Sequence, residues 1–335
     1  MVLGLYGVLY LEVARRPEHG WLVAAAGLTG KILGPAGLAW LIATGAWSAA
    51  RRGGTAYRSE TSGGENGRMW APGVGATLNY DVGSPAVIAL QIATAGPAGG
   101  EAVAATLDGT PVGITEVPGS GGPLGGRTHV VTCGRGQLVV TYTRNGPSPA
   151  ARAVAPTGFD RIVAMRPSRY CPSDRLGGYA ARYRLPDELA TVRAIVADVH
   201  SSLVYDATAT GPTTDAIDTL LTGRGVCRDY AHLAAALCRA VDIPARVAAV
   251  YAPGLDPMDF HLVLETALAD EWLVWDATRL APRQSLVRVA TGRDAADVAF
   301  GTVLSGTARL VDVAITAVAD GDLPMDDHEI LVRLR

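Results

Sequence analysis

Between residues 186 and 277 the spacing of apolar side chains changes period once, at Ile243-Pro244, and that change restricts the segment to an α+β arrangement. Before it, Leu189, Val192, Ile195, Val196 and Val199 recur at helical spacing, with Pro186, Asp187 and Glu188 suited to the first turn. A short second helix is predicted over 213–222, capped by Thr213 or Thr214, with Ile217, Leu220 and Leu221 apolar. A third begins at Cys227 and carries Ala231, Leu233, Ala234, Ala235, Leu237, Ala240 and Val241. After the change, residues 245–252, 260–268 and 272–277 read as three strands.

Gly223 and Gly225 interrupt the chain just before the third helix, so Cys227 falls in its first turn. The unpaired backbone N–H groups and the positive end of the helix dipole favour negative charge there. Cys227 is therefore a candidate nucleophile; the alternative is a small buried hydrophobe. A thiol nucleophile needs a base, and the base needs a group to orient it. His232 lies five residues on, roughly 140° around a helix of 3.6 residues per turn, and points away. His261 opens a strand. A two- or four-residue turn near Ala269-Asp270-Glu271 puts His261 and Asp276 on one face of a hairpin, opposite or diagonal. The set Cys227, His261 and Asp276 is thus a nucleophile, a base and an orienting carboxylate. Arg228 either steers an acidic group of the substrate or is a solvated first-turn residue, and Asp229 reads as a carboxylate at the helix N-terminus.

The Gly-Val-Cys-Arg-Asp run at 225–229, the Ile-Pro-Ala-Arg run at 243–246, the strand histidine His261 and the Trp-Asp-Ala-Thr run at 275–278 occur in an order that resembles the transglutaminase-like superfamily, in its bacterial branch. The likeness is strong over 186–300, extends to 70–185 because such proteins often carry an N-terminal β domain, and does not cover 1–50. It implies a papain-like α+β core with a Cys-His-Asp triad at Cys227, His261 and Asp276. It also implies a peptide or protein amide as substrate, handled by a cysteine protease, amidase or transglutaminase without a cofactor. A non-catalytic binding or scaffold module that keeps the fold is the alternative. One departure stands out. Animal-type members are known for a tryptophan upstream of the cysteine that stabilises the oxyanion, and no Trp lies between Trp70 and Trp272 here. The backbone N–H of Cys227 supplies one donor, and Tyr205 is the candidate for a second.

Composition narrows the partners. A net charge of −3 argues against a nucleic-acid surface. The chain has a single lysine, Lys31, so it is a poor amine donor to itself. No Asp/Glu cluster suggests calcium, and Cys133, Cys171, Cys227 and Cys238 form no CxxC pair or zinc spacing. They read as free thiols of a reducing compartment, with a Cys133–Cys171 disulfide as the alternative.

Five segments are expected. Residues 1–52 are an apolar, helical segment, in which 32–50 offers nineteen uncharged positions, about the length that spans a bilayer. Arg51 and Arg52 then favour a cytoplasmic C-terminal side, giving a cytoplasmic protein attached to the inner membrane. The alternatives are an apolar soluble hairpin or a fused or miscalled fragment. Residues 53–68 are a polar linker. Residues 69–165 form a small β-sandwich-like domain from runs at 74–82, 86–93, 127–133 and 136–143. Residues 166–185 connect it to a catalytic domain at 186–335.

Overall fold

The computed structural model describes residues 73–96, 100–118, 126–146, 154–319 and 321–334. The apolar segment 1–52, its membrane contact and the linker 53–68 lie outside the described residues. Among the described residues no helix is long and apolar enough to cross a membrane.

The first strand, β1 (Gly73–Leu90), joins two runs that the sequence separates. It is followed by β2 (Glu101–Leu107), β3 (Thr110–Val112), β4 (Ile114–Glu116), β5 (His129–Cys133) and β6 (Gly136–Asn145). Register shifts around Val82–Val87 bend β1, so β6 pairs its first half, up to Val82, and β5 pairs its second half, from Ala86. Alternate residues of β1 and β6 face inward: Leu78, Tyr80, Val82, Ile88 and Leu90, with Leu138, Val140 and Tyr142, are buried. Fully burying each such side chain is worth about 1.5–3 kcal/mol. These strands thus form one folded antiparallel sheet rather than two separate ones.

The helical half follows. Helix α1 (Gly158–Met165) is capped by Thr157, whose hydroxyl accepts from the Asp160 N–H. The expected connector then folds into a short 3-10 turn at Ser173–Arg175 and one helical turn, α2 (Gly177–Ala180). Helix α3 (Glu188–Ser202) starts two residues after Pro186, because the Asp187 carboxylate caps the Ala190 N–H. After β7 (Val204–Tyr205) comes α4 (Ala216–Thr222), capped by Asp215 and not by Thr213 or Thr214. The Asp215 carboxylate reaches two N–H groups of the first turn, which neither threonine does. Gly223 ends α4 in the left-handed conformation, φ 65°, and β8 (Arg224–Gly225) leads into α5 (Cys227–Ala240). Helix α5 is buried almost all round; Ala231, Ala234, Ala235 and Ala236 let its neighbours approach closely.

Four antiparallel strands complete the core: β9 (Ala245–Tyr251), β10 (Phe260–Leu268), β11 (Glu271–Trp275) and β12 (Val287–Gly292), in spatial order β11-β10-β9-β12. One face, with Leu262, Leu264, Leu273 and Trp275, shares a core with α5. The other carries Val250, Val263 and Val274, and is covered by Val332 and Leu334 of the C-terminal segment. The last strand, β13 (Gly301–Val318), leaves this half and pairs along the whole of β1. Residues of 186–335 therefore contribute to both sheets. Tyr251 joins the halves further: its ring lies 6.2 Å from that of Tyr142, and its hydroxyl donates to the Ile92 carbonyl at 2.6 Å.

Glu265 is fully buried in β10 and receives three hydrogen bonds, from Arg246 Nε at 2.8 Å and from the two terminal nitrogens of Arg288 at 2.8 and 2.6 Å. Arg246 in turn stacks on Trp272, 3.8 Å from the ring. Burial raises the Glu265 pKa, but the two guanidiniums outweigh it and lower it to about 2. The folded-state value is depressed, so this carboxylate contributes stability above its unfolded pKa, and that stability is lost as pH falls toward about 2. Thermal melts of Glu265→Ala should show a loss of roughly 3–5 kcal/mol at neutral pH, because two buried cations lose their counter-charge. Its melting temperature should also depend less on pH than that of the parent below pH 4.5.

Candidate active site

The segment before α5 sets the position of Cys227. The Asp229 carboxylate, fully buried, accepts the Val226 N–H at 2.8 Å and so closes the helix N-terminus behind the cysteine. A side chain at Gly225 would lie 2.5 Å from the Asp229 Cβ, which accounts for glycine two residues before the cysteine. Residues 224–225 pair in parallel with 204–205, and this brings Tyr205 alongside Gly225.

Cys227 is half-buried, and its Sγ stands 4.0 Å from the Phe260 carbonyl at the start of β10. The next residue is His261. The β10–β11 turn has two residues, Ala269 and Asp270, and Leu264 pairs with Trp275. Continued by one step, that register sets Asp276 across from Val263, diagonal to His261 and on the same face. The expected parity is observed: His261 Nε2 donates to Asp276 Oδ2 at 2.8 Å, and both residues are 2 % exposed. With Nε2 carrying the proton, Nδ1 is the basic nitrogen. It is buried and has no hydrogen-bond partner, and the Cys227 Sγ approaches the carbonyl of the preceding residue, Phe260. Burial opposes charge on the imidazole, but Asp276 and Cys227 together hold its pKa well above the usual histidine value. Burial likewise pushes Asp276 up, while His261 and Thr278 bring it below the usual carboxylate range. The thiol, the imidazole and the carboxylate are thereby brought together at the start of β10.

Thr278 ends the Trp-Asp-Ala-Thr run and has a part of its own. Its N–H and hydroxyl both bond Asp276 Oδ1, at 2.9 and 2.7 Å, which fixes the carboxylate. The Asp-x-Thr spacing, a local side-chain-to-backbone turn, was the available signal. His200 Nδ1 meets the Ala277 carbonyl at 2.9 Å from the end of α3.

Tyr205 is half-exposed beside Cys227, and burial of its ring together with the neighbouring thiol pushes its hydroxyl up to about 12. Arg228 is turned elsewhere: its Nη2 donates to Thr210 Oγ1 at 2.8 Å and to the Gly211 carbonyl at 2.6 Å, holding the loop before α4. His232 also faces away from the thiol. It is fully buried, stacks on Tyr170 at 5.2 Å, accepts the Ala295 N–H at 3.0 Å, and burial takes its pKa down to about 3. All four cysteines are free thiols, so the Cys133–Cys171 alternative does not hold. Among the described residues no cluster of His, Cys, Asp and Glu could hold a metal ion.

Residues 178–277 match the family model described as the transglutaminase-like superfamily. No curated protein matches the chain. Among solved structures, a candidate cysteine protease from Cytophaga hutchinsonii is similar at 28 % identity and a TM-score of 0.67, over 77 % of this chain and 94 % of that one. The periplasmic domain of TgpA from Pseudomonas aeruginosa, bound to ethylmercury, is 16 % identical over 64 % of this chain and 92 % of its own, with a TM-score of 0.33. A candidate protease from Parabacteroides distasonis is 18 % identical over 63 % of this chain and 42 % of its own, with a TM-score of 0.30. The matched segment contains the thiol, the imidazole and the carboxylate, and over residues 178–277 the chain carries a transglutaminase-like domain.

Proposed function

We propose that the protein cleaves amide bonds by thiol-dependent acyl transfer, with Cys227 as nucleophile, His261 as base and acid, and Asp276 as the group that orients and charges the imidazole. The single observation that carries this reading is the buried His261–Asp276 hydrogen bond, which leaves Nδ1 as the basic nitrogen, in the residue that follows the Phe260 carbonyl approached by Cys227 Sγ. The Cys227 proton goes to Nδ1, and the sulfur adds to the substrate carbonyl. The imidazolium then protonates the leaving nitrogen as the C–N bond breaks, and a thioester remains. Water, deprotonated by His261, resolves the thioester to a carboxylic acid and the free thiol. The acceptor is water rather than an amine on two grounds: the likeness to the candidate cysteine protease of Cytophaga hutchinsonii, and the lack of a tryptophan between Trp70 and Cys227. The backbone N–H of Cys227 and the Tyr205 hydroxyl are the donors to the developing oxyanion. The substrate is a peptide or protein amide.

Iodoacetamide labelling tests the thiol directly. Cys227 should react faster than a free thiol at mildly acidic pH, and His261→Ala should remove the difference. Equal reaction of all four cysteines, or reaction only after unfolding, would contradict the reading. Cleavage of peptide libraries, read by mass spectrometry, should fall about a thousandfold or more in Cys227→Ala and His261→Ala. Products that carry an added amine in place of a free carboxylate would reassign the acceptor.

The Asp276 carboxylate stabilises the protonated imidazole, and removing its charge lowers the imidazole pKa. In Asp276→Asn the alkaline limb of the pH–rate profile should therefore move to lower pH; an unmoved or upward-shifted limb would exclude Asp276 from this role. Tyr205→Phe should lower kcat by about 10²-fold, the scale of a lost oxyanion donor, with little change in KM. An equal rise in KM with kcat unchanged would make Tyr205 a substrate-binding residue instead.

A further inference from the structure

The superfamily match stops at residue 277, and the chain continues for a stretch that returns to the site. Residues 276–282 leave the end of β11, and Arg283 brings the chain back: its Nη1 donates to the Val274 carbonyl at 3.2 Å. A loop from 274 to 283 is thereby closed, and Asp276 lies on it. Arg283 is itself held from the C-terminal segment. Its backbone N–H and Nε donate to one Asp326 oxygen at 3.0 and 2.8 Å, its Nη2 to the other at 2.8 Å and to the Ile330 carbonyl at 3.2 Å. The side chains are 1 % and 4 % exposed, so this forked pair is dry. The segment then runs along β11, where the Val274 N–H donates to the Val332 carbonyl at 2.8 Å.

The face it covers is the relevant one. Val263 and Val274, buried against Val332 and Leu334, alternate with residues of the opposite face that pack on α5. His261 and Asp276 each stand two residues from one of these valines, on the same pleat.

We propose that the C-terminal segment 321–334 is a strap that positions Asp276 for the reaction, and that Arg283 and Asp326 are the positioning residues through which it acts. This rests on the function proposed above. The strap keeps water from the His261–Asp276 bond and fixes the backbone of the loop that carries the carboxylate. A misplacement of the order of an ångström at a reacting group can cost about 10²-fold in rate. Arg283 works as a fork and not as a point charge, so lysine cannot replace it.

The test compares the full chain with Asp326→Asn, Arg283→Lys, Asp276→Asn and His261→Ala, each held well below its melting temperature. The readout is the pH dependence of Cys227 alkylation by iodoacetamide. Asp326→Asn and Arg283→Lys should slow the reaction about 10- to 100-fold at mildly acidic pH and move its rise, which follows thiolate formation, to higher pH, as Asp276→Asn does but by less. A lower melting temperature with an unchanged profile would make the clasp structural only and overturn the proposal. Loss of the difference between the parent and His261→Ala would instead overturn the proposed function, so the two failures are distinct. If both clasp variants unfold, hydrogen–deuterium exchange of the parent decides: 274–283 and 321–334 should open as one unit, and separate opening would contradict the strap.

Discussion

An imidazole and a carboxylate buried side by side in a hairpin are costly unless each satisfies the other. His261 and Asp276 do so through one 2.8 Å bond, and much of the surrounding architecture serves that contact. Thr278 occupies the second carboxylate oxygen, so Asp276 is fully engaged and does not need water. The two-residue β10–β11 turn fixes the register that makes the pair diagonal neighbours. A shift of one residue would put the two side chains on opposite faces. The bond also determines which imidazole nitrogen is basic, and the nitrogen left over is buried without a hydrogen-bond partner.

The thiol is held by independent means. Asp229 and Gly225 pin the start of α5, and the alanine-rich body of that helix is enclosed by the same core that backs β10. Cys227 and His261 are thus carried by two rigid elements that meet at one edge. The two sheets share strands of the same late segment: after β12 the chain crosses to pair β13 with β1, then returns to cover the far face of the smaller sheet. Folding of the smaller sheet therefore depends on residues distant from its own strands.

Local chemistry was readable in the sequence, and long-range chemistry was not. The helix start at Cys227, the hairpin at 260–276 and the rejection of His232 followed from period, parity and helix angle, which act within some fifteen residues. The start of α3 falls two residues after Pro186, and the cap of α4 one or two residues after Thr213-Thr214, because the carboxylates of Asp187 and Asp215 take the capping role. Neither reading of Arg228, substrate-steering or solvated, anticipates its partners Thr210 and Gly211, which lie in a loop whose path no periodicity reveals. The pairing of β13 with β1 joins residues more than two hundred positions apart, and the mostly exposed strand carries no strong apolar alternation to announce it. Arg283 and Asp326 were silent for the same reason: a buried ion pair is legible only once both ends are located.

The central claim is that Cys227 forms a covalent acyl intermediate with the help of His261. Its most direct test is acid-quenched mass spectrometry of the protein after brief exposure to a cell lysate, with the cysteine peptides mapped for hydroxylamine-sensitive adducts. The account predicts thioester adducts on the Cys227 peptide and none at that position in Cys227→Ala or His261→Ala. Equal recovery from the variants, or adducts spread over Cys133, Cys171 and Cys238, would contradict it.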